Sequence, residues 1–179
     1  MQHLKPHVVL VGPPGAGKTT IGRRLAHTLN TVLIDTDHMI EEATGKTCGA
    51  VFSELGEPEF RRLEAEQVAV ALQQRGVISL GGGAVLTESN RNLLVDHPVV
   101  WIDMSAEEGV RRTQGDDSRP ILAAEDPLAH FTKLLATRRP FYSQVADLHV
   151  STDKRTPQQL VADIMAYLET TACSRTIGD

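Results

Sequence analysis

The sequence predicts an α/β protein in three layers, a five-stranded parallel sheet with helices on both faces. Five short runs rich in β-branched or other apolar residues, at 8–11, 32–35, 77–80, 99–102 and 148–150, alternate with stretches of helical periodicity. Strands that alternate with helices pair in parallel through right-handed crossovers. The first run also ends in Gly12-Pro13-Pro14-Gly15-Ala16-Gly17-Lys18-Thr19-Thr20, a strand, glycine turn and helix start matching G-x-x-x-x-G-K-S/T. With 179 residues the chain fits one domain, 1–179, with no internal repeat or interdomain linker.

Each element has a local reason. After the loop, Ile21, Leu25 and Leu29 recur at helical spacing, and Asn30 suits the helix end. The second strand, 32–35, is read as continuing into Thr36-Asp37, followed by a helix over 38–44 that Gly45 terminates. A short helix over 49–55 stops at Gly56, and Glu57-Pro58-Glu59 opens a longer one to about Gln74. Gly76 precedes the third strand, which runs into Gly81-Gly82-Gly83. A helix over 89–95 leads to the fourth strand. Ser105 with Glu108 is the pattern of a capping box for a helix to Arg112. The polar, acidic stretch at about 114–127 is too long for a plain connection and reads as a functional lid or a disordered loop. Helices over 127–137 and 156–170 flank the fifth strand, and the residues from 172 to 179 read as a frayed tail.

The glycines let the phosphate loop curl so that its N–H groups, from Gly15 to Thr20, face an anion at a helix N-terminus. Lys18 would reach the β- and γ-phosphates of ATP, and the Thr19 hydroxyl would ligate Mg²⁺. Asp35 and Asp37, two apart on an extended strand, would point to the same side. One would hold a water on Mg²⁺ and the other an acceptor hydroxyl, although aspartate also favours helix N-caps. No acid follows the third strand, so the metal role falls to Asp35. Three glycines there imply that backbone must approach another molecule closely. All of these features lie at the carboxyl ends of strands, where ligands of parallel sheets gather.

Composition excludes other classes. The formal net charge of −5 argues against a general nucleic-acid binder. No apolar run approaches membrane-spanning length and no signal peptide is apparent, so no membrane partner is expected. Two distant cysteines, Cys48 and Cys173, imply a reducing cytoplasm rather than a disulfide framework. Nothing demands more than a monomer, and a monomer is the expectation.

Gly12 to Thr19, Asp35-Thr36-Asp37, Phe60-Arg61-Arg62, Leu80-Gly81-Gly82-Gly83, Arg119-Pro120 and Arg138-Arg139-Pro140-Phe141-Tyr142 together resemble the shikimate kinase family. The resemblance runs from residue 8 to about residue 168. It implies a single kinase domain of the P-loop, nucleoside monophosphate kinase-like fold, with a mobile lid. It implies transfer of the ATP γ-phosphate to the 3-hydroxyl of shikimate, with one Mg²⁺ per site, on the route to chorismate and the aromatic amino acids. By that likeness Asp37 and the Gly82 N–H would bind shikimate hydroxyls, and Arg61 and Arg138 its carboxylate. Arg119 would reach the phosphates from the lid, Asp35 would sit in the magnesium shell, and Arg112 and Arg155 would flank the adenine. The family's arginine-x-proline-x-tyrosine spacing selects Arg138 over Arg139. Gluconate, which also carries a carboxylate and hydroxyls, is the alternative acceptor; a monophosphate kinase would leave the glycine triplet without purpose. A third reading, from outside the enzymes, is a nucleotide-dependent binding protein, against which the intact Lys18, Thr19, Asp35, Asp37 and Arg119 all weigh.

Overall fold

A computed structural model describes residues 6–113 and 126–176. Five parallel strands stand in the order β2-β3-β1-β4-β5, with β1 Val8–Val11, β2 Leu33–Asp35, β3 Val77–Ser79, β4 Val99–Asp103 and β5 Leu148–Ser151. Leu10 of β1 is in register with Ser79 on one side and Val100 on the other. The helices are α1 Lys18–Thr28, α2 Thr36–Thr44, α3 Cys48–Leu55, α4 Glu57–Ala71, α5 Glu88–Leu94, α6 Ala106–Thr113, α7 Pro127–Val145 and α8 Pro157–Thr176.

The alternation of β1 builds the layers. Val8 and Leu10 face one core with Ile21 and Leu25 of α1, Phe131 and Leu135 of α7, and Leu160 and Ile164 of α8. Val9 and Val11 face the other, with Val68 of α4, Leu94 of α5, Trp101 of β4 and Tyr142 of α7. Both faces of β1 are therefore dry, as a central parallel strand requires. A third cluster, Ile40, Val51 and Phe60, ties α2, α3 and α4 into a side lobe beside β2 and β3.

Several sequence expectations need correction. β2 ends at Asp35, and Thr36 and Asp37 open α2 instead of extending the strand. Asp35 is the N-cap, its Oδ1 accepting the Asp37 N–H at 2.9 Å, so strand alternation does not align the two carboxylates. α7 does not stop at Thr137 but runs through Pro140 to Val145. Proline removes the hydrogen bond to residue 136, but both positions are exposed, so water can serve that carbonyl. Burial of Leu135 and Tyr142 holds the two halves on the sheet. α8 continues to Thr176, past the point where the tail was expected at 172. The capping box at Ser105 is half formed. Ser105 Oγ accepts the Glu108 N–H at 3.2 Å, but the Glu108 carboxylate turns to Arg111 and Arg112, and the Ser105 N–H goes to Asp153. Of the predicted lid, residues 114–125 with Arg119 lie outside the described residues. Asp126 caps α7 by accepting the Ala129 N–H at 3.1 Å, and Pro127 is already helical.

Candidate active site

The phosphate loop connects β1 to α1 at the carboxyl edge of the sheet. Gly17, the residue before α1, has φ 98°, a conformation that costs glycine least. Lys18 is buried and its ammonium donates to the Gly12 carbonyl at 2.7 Å and the Pro13 carbonyl at 2.9 Å. The lysine thus lies back along the loop that it follows. Thr19 and Thr20 are exposed in the first turn of α1. Arg112, at the end of α6, approaches the loop from outside. It lies 3.4 Å from the Gly15 and Ala16 carbonyls and donates to Thr152 Oγ1 at 2.9 Å and to Glu108. Glu108, gripped by Arg111 and Arg112, has its carboxyl lowered to about 2. Arg155 pairs with Asp163 of α8.

The glycine triplet after β3 is the floor of a second pocket, and it is crowded. A Cβ on Gly81 would stand 2.5 Å from Asp37 Oδ1 and 3.0 Å from Glu64 Oε2. On Gly82 it would stand 2.9 Å from Pro14 Cδ of the phosphate loop and 3.2 Å from Arg138 Nη1. On Gly83 it would collide with the Arg61 guanidinium. These side chains take the space that glycine leaves, which is why the sequence has three glycines in a row. Asp37, Arg61, Gly82 and Arg138 therefore surround one small volume beside the phosphate loop.

Neighbouring residues fix the triplet. Thr36, fully buried, donates its hydroxyl to the Ser79 carbonyl at 3.4 Å and accepts the Gly81 N–H at 3.1 Å. Tyr142, also fully buried, donates to the Gly82 carbonyl at 2.5 Å. Burial pushes its phenol up to about 12, against the opposing pull of the nearby Arg138 guanidinium. The adjacent arginines on α7 separate cleanly. Arg138 lies against Gly82, whereas Arg139 donates to the Met104 carbonyl at 3.2 Å and sits 3.6 Å from Asp103 at the end of β4.

Three residues of this pocket had no part in the sequence reading. Thr36 was only the middle of D-T-D, and Tyr142 only a spacing mark. Glu64 drew no reading from the sequence, yet its side chain is 1% exposed and its Oε1 accepts from Arg61 Nη1 at 2.8 Å. Burial, with the Asp37 charge adding to it, raises the Glu64 carboxyl above its ordinary range, while Arg61 and Arg138 pull it back. The i,i+3 spacing of Arg61 and Glu64 was a signal for the pair, though not for its burial.

The donor set suits magnesium better than a softer metal. Thr19 and Asp35 offer hard oxygens, and magnesium takes few protein ligands beside phosphates and waters. β3 lies between β1, which leads into the phosphate loop, and β2, which ends at Asp35. Among the described residues no cluster of three His, Cys, Asp or Glu side chains could hold a metal by itself.

Comparison with known proteins finds relatives along nearly the whole chain. A family model described as shikimate kinase matches residues 14–169. The shikimate kinase of Corynebacterium efficiens is 64% identical over 165 residues, 92% of this chain and 98% of that protein. That of Mycobacterium tuberculosis is 47% identical over 167 residues, 93% of this chain and 95% of that protein. Among solved structures, shikimate kinase from Acinetobacter baumannii in complex with shikimate superimposes with a TM-score of 0.88 at 35% identity, covering 94% of each chain. A phosphate loop abutting a pocket of two arginines and an aspartate, on a chain matched over nearly its whole length, places this protein in the shikimate kinase family.

Proposed function

We propose that the chain transfers the γ-phosphoryl group of ATP to the 3-hydroxyl of shikimate, giving 3-phosphoshikimate and ADP. One observation carries the reading: Gly82 lies between Pro14 of the phosphate loop and Arg138 of the carboxylate clamp, so donor and acceptor subsites share a wall. The loop from Gly15 to Thr20 holds the triphosphate, with Lys18 released from its two carbonyls to the β- and γ-oxygens. Arg112 and Arg155 flank the adenine, and Arg119 reaches the phosphates. Arg61 and Arg138 grip the acceptor carboxylate, a charge-assisted pairing that fixes both distance and plane. Asp37 and the Gly82 N–H then orient the hydroxyls.

Phosphoryl transfer has a loose transition state, so alignment and charge neutralisation supply most of the acceleration. Asp37 accepts a hydrogen bond from the attacking hydroxyl and takes its proton late. Thr19 directly, and Asp35 through water, would hold magnesium, which when bound neutralises charge on the phosphate oxygens. Among the described residues no helix is long and apolar enough to cross a membrane. We take the enzyme to act as a cytoplasmic monomer.

A coupled ADP-release assay with shikimate, gluconate and several nucleoside monophosphates tests the reading. ADP release that depends on shikimate is the expected result. Release with gluconate alone would move the acceptor assignment, and the absence of any acceptor-dependent release would favour a nucleotide-dependent binding protein.

A further inference from the structure

Glu64 has no part in the reading above, yet it stands at the back of the acceptor pocket. Its side chain is 1% exposed, with Oε1 2.8 Å from Arg61 Nη1. Oε2 and Asp37 Oδ1 both crowd the space above Gly81, at 3.0 Å and 2.5 Å from the position a Cβ would take. The charged and titratable groups around it come from four helices. They are Arg61 on α4, with Glu57 behind it at 3.5 Å; Asp37 on α2; Cys48 on α3; and Arg138 on α7. Cys48 stays a neutral thiol, since burial and the surrounding acids push it well up. Within the pocket, then, the Arg61 and Arg138 guanidiniums already face the Asp37 and Glu64 carboxylates.

An acceptor that carries a carboxylate adds a third negative charge to the same two guanidiniums. Water cannot reach Glu64 to screen the surplus, and an unpaired buried charge is among the costliest arrangements in a protein. We infer that Glu64 takes up a proton when the acceptor carboxylate binds Arg61 and Arg138. Acceptor affinity thereby becomes dependent on pH. This rests on shikimate, or another carboxylate-bearing acceptor, being the ligand of that pocket. The balance is simple: one O–H bond forms on Glu64, the proton comes from solvent, and nothing is oxidised or reduced.

The sign follows from linkage. The acceptor carboxylate stays ionised above about pH 5. Below the pKa of Glu64 in the free protein both states carry the proton, and affinity is flat. Between that value and the higher value in the complex, affinity falls by about tenfold per pH unit, then levels again.

The test is calorimetric titration of shikimate into the ligand-free full chain, in buffers of different ionisation enthalpy, from about pH 5 to about pH 9. Uptake approaching about one proton per site is expected over part of that range, with the matching fall in affinity. Glu64→Gln, shaped like the neutral acid, is expected to bind with no uptake and a flat profile. Carboxyl carbon-13 shifts of Glu64 with and without shikimate read the same proton in the unsubstituted chain. Binding without uptake at every pH, uptake that persists in Glu64→Gln, or a Glu64 signal that stays ionised on binding would each overturn the inference. Absence of shikimate binding at every pH removes the acceptor reading, and the inference with it.

Discussion

Replacing Arg61 by methionine separates what that residue does for the fold from the part in substrate binding proposed for it. Methionine keeps the unbranched stem and removes the guanidinium, leaving Glu64, 1% exposed, without the donor that lies 2.8 Å away. Removing one partner of a buried ion pair costs about 3–5 kcal/mol when the remaining charge stays ionised. Glu64 can instead take a proton, at about 1.4 kcal/mol per pH unit above an ordinary glutamate value near 4.3. That route caps the loss at roughly 3.7 kcal/mol at pH 7 and roughly 1.6 kcal/mol at pH 5.5. For a chain of this length, about 2–4 °C per kcal/mol, the melting temperature falls by roughly 7–15 °C at neutral pH and roughly 3–6 °C in acid. The raised folded-state value has the same sign, because the folded chain then holds more protons than the unfolded one and loses stability as pH rises through that window. Calorimetric melts of the parent, Arg61→Met, Glu64→Gln and the double variant at both pH values supply the comparison. The double variant is expected to regain most of the stability and none of the shikimate affinity. A single variant that melts with the parent, or a double variant no more stable than the single one, would refute the buried pair as a structural element.

Tyr142→Phe removes the hydroxyl that donates to Gly82 at 2.5 Å but keeps the ring packed on Trp101. Leaving that carbonyl unserved should cost about 1–3 kcal/mol by thermal unfolding and raise the shikimate KM more than the ATP KM. Asp37→Asn should keep ATP binding by calorimetry yet lose turnover by about 100-fold or more, the range for removing a group that receives a proton. Cys48, half-buried and donating to the Asp37 carbonyl at 3.4 Å, should be alkylated at pH 8 more slowly than a free peptide thiol. Peptide mass mapping follows that site separately from Cys173.

What the sequence revealed was whatever is decided locally. A glycine loop between a strand and a helix is a short-range pattern, so the phosphate site could be read without tertiary information. The parallel sheet followed from strands alternating with helices. The Asp35-Thr36-Asp37 segment was half legible. Its carboxylates stood out, but whether the chain continues as strand or turns into helix depended on Asp35 capping α2. Glu64 was hidden for a different reason. An Arg-Glu pair at i,i+3 between other charged residues resembles a solvent face, and only α2, α3 and the Gly81 backbone closing over α4 exclude water from it.

Arg138 and Arg139 show most clearly why position in sequence underdetermines position in a site. Neighbours on a helix point about 100° apart, so one must face away from whatever the other contacts. Which one faces the glycine triplet depends on helical phase, and that phase is fixed only because α7 continues through Pro140. A break at Thr137 would free both side chains. With the helix intact, Tyr142 lies one turn beyond Arg138 and anchors on Gly82, while Arg139 anchors on Met104 and Asp103 at the end of β4. Two contacts on different faces of the same helix thus set its rotation, and Arg138 is delivered to the pocket as a consequence. Pro140, inside α7, thus belongs to the element that turns Arg138 toward the glycine triplet.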